Sequence, residues 1–73
     1  MKIYPNPIEN GILKLQNQNI ADSNYSIFDV SGKLIGIGKI QAHQIEVTQL
    51  KAGTYLLLLR NGQNTMRQKF IIK

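Results

Sequence analysis

The sequence predicts an all-β domain, an antiparallel sandwich of about seven short strands, with a small barrel as the alternative. Three observations lead there. Apolar and polar residues alternate along most of the chain with the two-residue period of a half-buried strand, and no window holds a useful helical period. The alternating runs recur about every ten residues, punctuated by Gly, Asn, Asp and Pro. Finally, 73 residues with 42% hydrophobic content suit a single domain, near the lower size at which one core suffices unaided. Cysteine is absent, so neither a disulfide nor a thiolate metal site is expected to staple the fold.

"IYPNPIENG", residues 3–11, holds both prolines of the chain, one on each side of Asn6. Proline fixes φ, lacks an N–H, and pushes the residue before it toward extended geometry. Tyr4 to Pro7 is therefore expected to be extended and stiff. A blunted edge strand, a rigid lead-in to a sheet and a polyproline II linker all satisfy that expectation. "GILKLQ" follows, with Leu13 and Leu15 on one face and Lys14 and Gln16 on the other. "NQNIADSN" is polar and turn-like. "YSIFDV" has Tyr25 and Ile27 on one face and Phe28 and Val30 on the other, which predicts a central strand. In "KLIGIGKI" the pattern turns Ile35 and Ile37 inward, with Gly36 and Gly38 on the opposite face, open to solvent or to a close neighbour. "HQIEVTQL" places Ile45 and Val47 inward. "GTYLLLLR" is the most apolar run and predicts a buried central strand, and "TMRQKFIIK" sets Met66, Phe70 and Ile72 against Arg67, Lys69, Ile71 and Lys73.

Three turns have a mechanism legible in their residues. In "FDVSGK" the Asp29 carboxylate is placed to accept from N–H groups two residues on, and Gly32 supplies positive φ. In "TQLKAGTY" Leu50 drops toward the core, and Gly53 lets the backbone turn into the strand that carries Tyr55. The Asn61-Gly62 pair of "RNGQ" predicts a hairpin with a type I′ turn. All of these residues are expected to build the fold and do no chemistry.

The ionisable inventory argues against catalysis. Four carboxylates, Glu9, Asp22, Asp29 and Glu46, accompany the single His43, and no spacing demands that any two converge. No cofactor and no metal site are expected, because zinc without cysteine would need several carboxylates around that one histidine. "IGIG" lacks the third glycine and following helix of a phosphate loop. Net charge is +5, yet the nine Lys and Arg are scattered and no aromatic–basic cluster lies along a strand, so no nucleic-acid partner is expected. The longest apolar run, Tyr55 to Leu59, is too short to span a membrane as a helix, and no membrane insertion is expected. The first residues lack the apolar core of a signal peptide, so an export leader would belong to a longer parent chain.

Taken in order, "YPNP" at 4–7, "LKL" at 13–15, "IFDVSGKLI" at 27–35, "IEVTQLKAGTYLLLL" at 45–59 and the terminal "KFIIK" closely resemble the type A C-terminal sorting domain of the type IX secretion system. That system exports proteins across the outer membrane of Bacteroidota. Each motif is weak alone, but their order within this length is specific. The resemblance covers nearly the whole chain and implies an immunoglobulin-like sandwich, residues 1–73, at the C-terminus of a larger secreted protein. It implies an N-terminal cargo domain, a type IX translocon that reads the label in the periplasm, and a sortase-like protease that cuts upstream. The cargo would end secreted or at the cell surface. The motif positions that match are Pro5, Asn6, Pro7, Asp29, Gly32, Leu50, Gly53, Tyr55, Lys69 and Lys73. With Arg67 added, the prolines, Asn6 and the terminal lysines are the expected recognition residues. Gly36 and Gly38 depart from the family, thinning a strand that often carries larger residues. An open sheet edge would allow a weak homodimer. The reading from another class is an Ig-like accessory module of a secreted enzyme, a carbohydrate binder or spacer, although the chain has no Trp and three Tyr to offer a sugar platform.

Overall fold

A computed structural model describes residues 2–16, 23–62 and 64–73. Among them run seven strands: β1 (Lys2–Tyr4), β2 (Ile12–Gln16), β3 (Asn24–Phe28), β4 (Leu34–Lys39), β5 (Gln44–Glu46), β6 (Gly53–Asn61) and β7 (Asn64–Ile72). They form a three-stranded sheet in the order β1-β2-β5 and a four-stranded sheet in the order β4-β3-β6-β7, antiparallel throughout. The two sheets do not close into a barrel among the described residues, so the sandwich prediction holds. Of the polar stretch expected to turn at 17–24, residues 17–22 lie outside the described residues, as does Gln63, while Ser23 is buried and Asn24 already opens β3.

Alternation puts one apolar set from each sheet into a shared core. Ile3, Leu13, Leu15 and Ile45 come from the small sheet, and Ile27, Tyr55, Leu57, Leu59, Phe70 and Ile72 from the large one. Phe70 is fully buried opposite Tyr55 across the β6–β7 ladder, with ring centroids 5.6 Å apart and planes 24° from parallel. The Tyr55 hydroxyl donates to the Lys51 carbonyl at 2.5 Å, pinning the loop before β6 to its own strand. Leu50 is half-buried against the core as expected, and Gly53 opens β6 with φ 153°.

The β3–β4 turn forms as its residues dictate. Asp29 Oδ1 accepts from the Ser31 N–H (2.9 Å), the Ser31 hydroxyl (2.6 Å) and the Lys33 N–H (3.0 Å). Gly32, at φ 88°, donates its N–H to the Asp29 carbonyl at 3.0 Å. The β6–β7 hairpin also falls at Asn61-Gly62, but one residue out of the predicted register. Asn61 pairs with Asn64, so Gly62 (φ 62°) rather than Asn61 takes the first loop position, where a residue without Cβ meets positive φ freely.

Two expectations give way. Tyr4 to Pro7 is not extended: β1 stops at Tyr4, and 5–7 bend across to the large sheet, where Ile8 makes a parallel bridge to Ile72. Both Tyr4–Pro5 and Asn6–Pro7 are cis. Leu15 turns its N–H to β5, so Lys2 and Tyr4 are the β1 residues that bond to β2. The donors missing at 5 and 7 would have faced the open edge. The bend at 5–7 ends the ladder, and the edge-strand reading holds for Lys2–Tyr4 alone. In β4, Ile37 is not inward but 69% exposed, opposite Ser26, whereas Gly36 and Gly38 lie on the core side opposite Ile27 and Tyr25. The register shift between Ile27 and Phe28 leaves Ile35 as an extra residue on β4, and only Ile35 of the expected pair reaches the core. The Tyr25 ring covers Gly38 so closely that a Cβ there would sit 2.7 Å from it.

Candidate functional site

Among the described residues, no three of His, Asp and Glu gather where a metal ion could bind. Asp29 is committed to its turn: hydrogen bonds from the Ser31 hydroxyl and the Lys33 N–H hold its carboxyl below the ordinary range. Glu46 lies on β5 of the other sheet and accepts from the Thr48 hydroxyl at 2.9 Å, so the two carboxylates do not meet. His43 is an exposed turn residue whose carbonyl accepts from the Leu15 N–H at 2.9 Å. What the described residues present to a partner is an extended surface.

The outer face of the large sheet is the apolar one. β3 and β6 are central strands as predicted, but β6 is buried on one face only. Its outward Leu56 and Leu58 are half-buried, and around them Val30, Leu34, Ile37 and Ile71 are exposed. A groove of about 550 Å³ runs here, lined by Phe28, Val30, Leu56, Leu58, Arg67 and Lys69. Register puts Lys69 directly opposite Leu56 and Arg67 opposite Leu58, so two cations on β7 wall an apolar floor. Asp29 and Gly32 line the same groove through their turn.

The two ends of the chain meet at the end of β7. Ile8 donates its N–H to the Ile71 carbonyl (2.7 Å) and accepts from the Lys73 N–H (3.0 Å). Ile71 donates its N–H to Asn6 Oδ1 at 3.3 Å, and the Lys73 ammonium lies 3.6 Å from the Glu9 carboxylate. The structure thus joins Asn6 to Lys73 through one short stretch of edge, with Pro5 and Pro7 exposed on either side of Asn6. Arg67 and Lys69 continue along the same strand, on its outer face. Gly53 and Tyr55 back this surface from β6, opposite Ile72 and Phe70, whereas Leu50, Asn61 and Gly62 lie in the turns and core just described. Sequence reasoning passed over Ile8, which is fully buried and is the residue that makes the bridge. Its one signal is that it is a lone apolar residue straight after Pro7, with no alternating partner.

Against families of known proteins, the model described as "secretion system C-terminal sorting domain" matches residues 2–73. None of the curated proteins matches the chain.

Proposed function

The chain belongs to the secretion system C-terminal sorting domain family, by a match over residues 2–73, and from that premise we propose how its ends and outer face serve the role. The family is one of sorting signals for type IX secretion and is not an enzyme family; it implies a parent protein exported to the cell surface or beyond. In our reading the parent carries its cargo N-terminal to this domain and reaches the periplasm by its own leader. The translocon then engages the basic side of β7, through Arg67, Lys69 and Lys73. A sortase-like protease cuts upstream of the domain, on the cargo side of β1, and Pro5, Asn6 and Pro7 stiffen the step from β1 to the end of β7. One observation carries this reading: the exposed Asn6 and Lys73 converge on β7, the strand whose outer face bears Arg67 and Lys69.

The test is export. Fused behind a fluorescent protein that bears an inner-membrane signal peptide, the domain should carry it outside a bacterium with an intact type IX system. Retention in the periplasm, while another sorting domain exports the same cargo, would overturn the reading.

A further inference from the structure

β7 is an edge strand whose outer edge is used over part of its length only. The Ile71 N–H and C=O point away from β6, toward Asn6 and Ile8. By the two-residue alternation of a strand, the backbone groups of Thr65, Arg67 and Lys69 point the same way. Among the described residues, nothing pairs with them on that edge. The edge is competent to accept a strand, because Ile8 already pairs with it in parallel at Ile72.

We propose that the Thr65–Lys69 edge is a docking rail for an extended acidic segment of a partner protein, which joins the large sheet beside β7 as a further strand. Charge selects the occupant. Side chains of an added strand alternate between faces, and those on the outer face would stand beside Arg67 and Lys69, roughly 5 Å away. Carboxylates are favoured there and cations repelled. A second copy of this chain, pairing β7 with β7, would bring these cations face to face, on a molecule that already carries +5. The same two residues therefore reject self-association and admit an acidic strand. The length is set as well: Asn6 and Ile8 occupy the edge at Ile71 and Lys73, so a docked segment ends beside Lys69. This inference rests on the reading of β7 as the recognised strand and gives the partner's chemistry.

The experiment uses the isotope-labelled 73-residue chain and two capped eight-residue peptides, one alternating Glu and Val, the other Lys and Val. The acidic peptide should slow amide exchange at Arg67 and Lys69, whose N–H groups it would capture. Gln68, already directed at β6, should change little. The basic peptide should bind at least about tenfold more weakly. Paired Arg67→Glu and Lys69→Glu changes should reverse that order; should they unfold the domain, paired changes to Gln should erase it. Equal binding of the two peptides, or protection on β4 or β1 with none on β7, would overturn the proposal. Export of the wild-type fusion separates the two ideas. If the fusion is exported while the peptide leaves β7 unprotected, the rail alone falls; if it is not exported, the sorting reading falls.

Discussion

At Asp29 one carboxylate oxygen takes three hydrogen bonds, two from Ser31 and one from Lys33, and so prefers to stay ionised in the folded state. The sign of the resulting pH dependence follows from the lowered folded pKa. The contribution is fully present above the unfolded carboxylate value, and is lost as pH falls through the folded value below it. Melting temperature measured down an acid series should therefore drop more steeply for the parent than for Asp29→Asn, whose side-chain carbonyl still accepts but does not titrate. Parallel acid profiles would show that the turn does not depend on the charge. A few residues away in kind, Ala42 and His43 form a turn with φ 55° and 56°, closed by the Gln44 N–H donating to the Gln41 carbonyl at 3.1 Å. Alanine does not advertise such a conformation and histidine, though enriched there, is a far weaker signal than glycine, which is why this turn, unlike that of Asp29 and Gly32, is not legible in the sequence.

At the scale of the element, β4 shows what alternation can and cannot decide. Glycine has no side chain to assign to a face, so "IGIG" left the isoleucines to set the phase, and a one-residue bulge at Ile35 then reversed it beyond that point. The result is testable because the two glycines meet different neighbours. A Cβ at Gly36 would lie 4.0 Å from Ile27, an ordinary contact, whereas one at Gly38 would press into the Tyr25 ring at 2.7 Å. Gly36→Ala should be neutral or stabilise by up to about 1 kcal/mol, and Gly38→Ala should destabilise by about 1–3 kcal/mol. Denaturant titrations of both variants check the pair, and equal effects would contradict the register. β2, β5 and β7, whose apolar residues alternate without glycine, are legible in position and facing, whereas the unbroken leucines of β6 mark its place but not which face is buried. The candidate site was legible by half: Arg67 and Lys69 stand on the expected face of β7. Their closeness to Asn6 was hidden, because a bridge across the whole chain leaves no periodic trace at Ile8.

For the molecule as a whole, β7 divides recognition from folding. Lys69 and Lys73 are exposed, and the Lys73–Glu9 pair, about 70% open to water at both side chains, contributes at most about 1 kcal/mol. Lys69→Gln with Lys73→Gln should barely move the melting temperature while reducing export of a fused cargo. Phe70→Ala should lose about 3–5 kcal/mol, enough to unfold many domains of this size. A double-Gln variant that melts early, or one that folds and is exported normally, would break the division. The bridge between Ile8 and the end of β7 has a consequence in time. Chains are made from the N-terminus, and Asn6 must wait for a partner 65 residues later. Until then the large sheet lacks its last strand, Tyr55 lacks Phe70, and Ile8 has nothing to pair with. Contacts this distant in sequence close late, after any domain preceding this one has had its chance to fold. A ribosome that stops before the final strand leaves a domain that cannot close. The folded state of these residues thus certifies that synthesis has passed β7, before any machinery inspects the product.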